Sequence, residues 1–175
     1  MYRISILFAI LSLISCSNPE QDQQKLIDAA MSGSTESVDS LLDKSIDPNC
    51  RDKCLWTPLM QATLYNHYDI AKSLLDNSAL PELADQAGYT PLLIAATHNR
   101  TKIMQLLLEH KANINHQDSD AGLTALMIAA RAGHLESSKL LLTHQAETEL
   151  VDKQGMTALQ WAHRNNHTAI AELLE

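Results

Sequence analysis

Two patterns of apolar residues divide the chain. The first is a single run from Ile4 to Ile14, broken only by Ser5 and Ser12 and preceded by one cation, Arg3. Eleven helical residues would span about 16 Å, roughly half of a ~30 Å hydrocarbon core. The run therefore predicts a cleavable export signal rather than a membrane span. The second pattern extends from about Gln23 to Glu175, as short bursts of Leu, Ile and Ala separated by polar turns in one repeating register. Trp56-Thr57-Pro58-Leu59 returns as Tyr89-Thr90-Pro91-Leu92, Leu123-Thr124-Ala125-Leu126 and Met156-Thr157-Ala158-Leu159, with threonines 33, 34 and 33 residues apart. The same register carries Ala62, Ala95, Ala129 and Ala162, and Leu74, Leu107, Leu141 and Leu174. Gly33, Asn66, Asn99, Gly133 and Asn166 also recur in step, and all are residue types that tolerate a left-handed backbone.

Each period predicts two short helices and a hairpin. Thr57 is placed to cap a first helix, Pro58–Tyr65, with Pro58 at the first helical position where no N–H is needed. A second helix, Tyr68–Asp76, presents Ile70, Leu74 and Leu75 at helical spacing. Asp85-Gln86-Ala87-Gly88 and Asp152-Lys153-Gln154-Gly155 then supply the turn before the next threonine. No single period can bury its own apolar stripe, so the stack of periods has to form the core.

These residues closely resemble the ankyrin repeat, a unit of about 33 residues carrying a Thr-Pro-Leu-His-x-Ala signature and a Gly-His turn. The resemblance implies an all-α solenoid of paired short helices joined by β-hairpin turns over residues 23–175. It divides that region into a degenerate cap (23–49), three repeats (50–82, 83–115 and 116–149) and a C-terminal repeat (150–175). Several positions depart from the pattern. The signature His is replaced by Met60, Leu93, Met127 and Gln160, and Leu55 stands where the hairpin Gly belongs. One residue is inserted around Ser119–Asp120, and Ser137-Ser138 replaces an apolar pair, changes expected to loosen single repeats.

At the other end, Leu13-Ile14-Ser15-Cys16 resembles a bacterial lipobox. That resemblance implies a lipoprotein signal peptide (1–15), lipidation of Cys16, a polar tether (16–22), and anchoring on the periplasmic side of the outer membrane. The acyl chains alone would hold the protein there, at about 0.8 kcal/mol per buried CH₂. A plain cleaved signal with a chance cysteine would instead leave a soluble periplasmic protein.

Composition narrows the function. Lys and Arg total 13 against 21 Asp and Glu, for a net charge of −8, which excludes the basic footprint of a nucleic-acid binder. No nucleophile elbow, glycine-rich phosphate loop or paired carboxylates stand out, so no enzyme, catalytic residue or cofactor is expected. Of eight histidines, His67, His134 and His167 occupy the turn position that the repeat family uses structurally; His110 and His144 stack one repeat apart. Stacked histidines could bind a metal through repeat geometry, but His98, His116 and His163 have no acidic or cysteine partner at ligand spacing, and no metal is expected. Cys50 and Cys54 flank one turn, and hairpin ends lie about 5.5 Å apart, within disulfide range. An oxidising periplasm would permit that bond, with two free thiols as the alternative.

By the same resemblance, hairpin tips and first helices form a concave partner-binding face. Its expected contacts are the column Trp56, Tyr89, Leu123 and Met156, the helix positions Tyr65, His98, Arg131 and Arg164, and the hairpin cations Arg51, Lys53 and Lys153. The gathering of cations on an acidic chain points to a negative or mixed partner surface. The implied function is a non-enzymatic protein-binding module, monomeric and touching the membrane only through its lipid. Alternatives are an immunity or inhibitor protein against a periplasm-acting toxin or hydrolase, and an accessory or metal-handling partner of a periplasmic stress enzyme.

Overall fold

The computed structural model describes residues 19–175. The expected signal peptide and the lipidation at Cys16 lie outside these residues. Ten α-helices follow one another in pairs: α1 Pro19–Ser32, α2 Thr35–Asp43, α3 Pro58–Leu64, α4 Tyr68–Asp76, α5 Pro91–Thr97, α6 Thr101–Glu109, α7 Ala125–Ala132, α8 Leu135–Thr143, α9 Ala158–Arg164 and α10 Thr168–Leu174. No described residue is in a strand. None of the described helices is long and apolar enough to cross a membrane.

Helices of seven to nine residues, as all but α1 are at most, are marginal on their own in water, so tertiary packing must hold them. Packing runs in two rows. First helices α1, α3, α5, α7 and α9 contact in sequence, and second helices α2, α4, α6, α8 and α10 do the same behind them. The rows close on one continuous core, with Ala62, Ala95, Ala129 and Ala162 fully buried where first helices approach and Leu74, Leu107 and Leu141 fully buried from the second row.

Each helix pair is closed by the same backbone device. The first helix ends with a left-handed residue, Gly33, Asn66, Asn99, Gly133 or Asn166. The next N–H then donates five residues back, as His67 does to the Ala62 carbonyl (2.8 Å) and His134 to that of Ala129 (2.9 Å). This is the Schellman ending. Second helices end alike, but with Ser45, Ser78, Lys111 and Gln145 in the left-handed position, residues that carry no sequence signal for it.

Hairpin tips are built on an aspartate. Asp52, Asp85 and Asp152 each accept, on Oδ1, the N–H groups two and four residues on, while the backbone closes one pair, such as Asp85 N–H to the Tyr89 carbonyl (3.1 Å). Three tips turn on a left-handed Gly, at 88, 122 and 155, and the fourth on Leu55 at φ 66°. A side chain in that region costs roughly 1–2 kcal/mol. The tips are turns with a single closing pair and do not extend into paired strands.

One expected boundary shifts. The stretch expected as a polar tether to residue 22 is already helical from Pro19. Proline suits the first helical turn, and Glu20 and Asp22 there complement the helix dipole.

Candidate functional site

The hairpin tips and first-helix row form one ribbon of surface along the stack. Adjacent tips are joined to one another. Ser119 N–H donates to the Ala87 carbonyl (2.9 Å) and Lys153 N–H to that of Ala121 (2.9 Å), and Gln86 Nε2 reaches the Lys53 carbonyl (2.9 Å). The ends of the first helices are joined as well. His67, His134 and His167 donate through Nε2 to the carbonyls of Met31, Thr97 and Arg131 in the preceding unit, each at 3.2 Å. Arg100 takes the same place with Nη2 on the Leu64 carbonyl (3.4 Å). The turn histidines are thus inter-repeat fasteners. At Gly33 the fit leaves no room for a side chain, because a Cβ there would lie 2.7 Å from the His67 ring.

Along this ribbon the expected column divides. Trp56, Tyr89 and Met156 are half-buried, and Tyr65 is 50 % exposed. His98, Arg131, Arg164, Arg51, Lys53 and Lys153 are exposed. Leu123 is not a surface contact: it is 2 % exposed and belongs to the core. The inserted residue in its hairpin explains the difference. Leu123 lies five residues after Asp118 rather than four, and its N–H is held by Oδ2 (2.7 Å) instead of Oδ1, which turns the residue inward. Lys153 is partly committed, with Nζ on the Ser119 carbonyl at 2.6 Å.

A tryptophan outside the column organises the far end of the ribbon. Trp161 on α9 is 8 % exposed and stands where α5 and α7 carry Ile94 and Ile128. Its indole N–H donates to Asp152 Oδ2 (2.9 Å), and the guanidinium carbons of Arg131 and Arg164 lie 5.4 and 5.2 Å from its ring centroid. Burial alone would push the Asp152 carboxyl up. Hydrogen bonds from Met156, Trp161 and Gln154, with the Arg131 charge, outweigh it and hold the carboxyl below its ordinary value. At Tyr89, burial and then the Asp118 carboxylate push the phenol up, and Arg131 opposes them. The spacing of Trp161 to Arg164 (i, i+3), with Arg131 one period earlier, was the sequence signal for this cluster.

Cys50 and Cys54 are not bonded to each other. Cys50 is buried between units with Sγ 3.6 Å from the Gln23 carbonyl, and Cys54 is exposed on the turn. Burial, then the Asp47 carboxylate, pushes the Cys50 thiol up to about 12, away from the reactive thiolate. Among the described residues no three His, Cys, Asp or Glu side chains converge to hold a metal ion.

A family profile for ankyrin repeats, in three copies, matches residues 26–118 and 115–175. No curated protein matches the chain.

Proposed function

We propose, on the premise that this chain belongs to the ankyrin-repeat family, that it is a non-enzymatic protein-binding module. Ankyrin repeats are protein-interaction modules, and the finer reading concerns which surface binds and where the protein resides. One observation carries the assignment of the surface. Half-buried Trp56, Tyr89 and Met156 sit in register along fastened hairpins, beside exposed Tyr65, Arg131 and Arg164. Aromatic and Arg anchors on a rigid support are the residues that dominate interface energies, and a preformed face spends little on ordering.

A paired capture tests this surface. The bait is residues 17–175 without lipid, beside the same bait carrying Trp56→Ala and Tyr89→Ala, both checked for equal helicity. A periplasmic protein is expected to be retained by the first and lost by the second. Retention of the same proteins by both baits would reduce the column to packing.

Anchoring follows from the amino-terminal sequence: lipid on Cys16 would hold the module at the periplasmic face of the outer membrane, as a monomer. Expressed in full, the protein is expected in the membrane fraction, carrying incorporated palmitate, and a Cys16→Ser variant is expected to lose both. A variant still membrane-bound and labelled would remove the lipoprotein reading.

A further inference from the structure

The cluster on Trp161 says something about the partner that the column does not. Trp161 is fixed from below. Its N–H is held by Asp152, whose other oxygen accepts the N–H groups of Gln154 (2.8 Å) and Met156 (2.9 Å). Two exposed arginines from successive units rest on that fixed ring. Stacking on an indole orients a guanidinium without neutralising it. The side-chain ion pairs of the described residues join Lys25 to Asp22, Lys72 to Asp76, Lys139 to Glu136 and His163 to Glu175. Neither arginine shares in one, and among the described residues the sole side-chain hydrogen-bond partner at either guanidinium is the Met156 sulfur, 3.4 Å from Arg164 Nη1. In a chain of net charge −8, two exposed guanidiniums held on one ring gather positive charge on the proposed binding face.

The geometry points to a partner protein that docks a short acidic segment here, with side-chain carboxylates seated on the outward N–H groups of Arg131 and Arg164. This inference rests on the hairpin and first-helix ribbon being the binding face. Planar guanidinium forks match carboxylates bidentately, and holding them in place beforehand lowers the rotamer entropy lost on binding. The charge balance sets the length of the segment. At physiological salt a charge is felt over about 8 Å, so a few carboxylates at the cluster meet the two exposed arginines and the single Asp152 carboxylate buried beneath the ring. A long polyanion would have to continue past exposed Asp120, beside Tyr89, on a chain of net charge −8. A short acidic segment is favoured over nucleic acid or polyphosphate on that ground.

The test uses the full chain in mild detergent and a fluorescein-labelled, end-blocked hexaglutamate peptide, followed by anisotropy. Hexaglutamine and inorganic polyphosphate are the comparison probes. Variants are Arg131→Gln and Arg164→Gln, singly and together, with Lys139→Gln on the outer row as the charge control. The expected result is saturable binding of hexaglutamate, absent for hexaglutamine, that weakens roughly tenfold with each arginine removed and is unchanged by the control. An equal loss in Lys139→Gln would overturn the inference by showing diffuse electrostatics. So would tighter binding of polyphosphate than of hexaglutamate, or no binding of hexaglutamate at all. The paired capture separates the two levels. A partner lost with Trp56→Ala and Tyr89→Ala but kept by the double arginine variant would leave the binding face standing and remove the acidic segment.

Discussion

At the scale of single residues, the most informative side chain is Asp152, which serves its own hairpin and the Trp161 indole together. Its carboxyl is held below the ordinary value, near 3.9 for an unfolded Asp. The sign follows: the stabilisation is complete above about pH 4 and is lost as pH falls through the lowered native value. Trp161 fluorescence is therefore expected to change below about pH 4, and an Asp152→Asn variant is expected to show the altered emission already at neutral pH. An emission identical in the two proteins across that range would show that Asp152 does not hold the ring. Trp161 itself was hard to see in the sequence. Its register neighbours Ile94 and Ile128 are plain core residues, and only its spacing to two arginines marks it. Leu123 was harder still, because a one-residue insertion changes which aspartate oxygen holds its N–H.

At the scale of elements, the first helices differ in how they begin. Thr57, Thr124 and Thr157 each accept the N–H three residues on, and Met60, Met127 and Gln160 return a bond to the threonine N–H. Replacing the family's usual His with Met or Gln thus keeps the reciprocal cap. Leu93 cannot return such a bond, and the Thr90 hydroxyl is buried with no partner. Thr124→Val is expected to cost about 1 kcal/mol in urea unfolding. Thr90→Val is expected to be neutral or stabilising, because it removes an unpaired buried hydroxyl. Equal losses in both would contradict this reading of the caps. The Ser137-Ser138 pair, expected to loosen its repeat, is buried with both hydroxyls bonded, to Asn99 Oδ1 (2.7 Å) and to the His134 carbonyl (3.1 Å). Helix ends were legible wherever Gly or Asn takes the left-handed position. They were silent at Lys111 and Gln145, where the backbone imposes that conformation on residues that do not prefer it.

At the scale of the whole molecule, the repeating register was legible because every unit needs the same few residues at the same places: a cap, a small alanine, a left-handed turn and a buried leucine. What those shared positions cannot disclose is the surface, since the residues that vary from unit to unit are not required by the common fold. Recognition is proposed to lie on the ribbon of hairpin tips and first helices. The most direct test is amide hydrogen exchange of the chain with and without the captured partner. Protection is expected at the tips around 52–56, 85–89, 118–123 and 152–156 and along α3, α5, α7 and α9. Protection confined to the outer row, α4, α6, α8 and α10, with the tips exchanging as in the free protein, would contradict it.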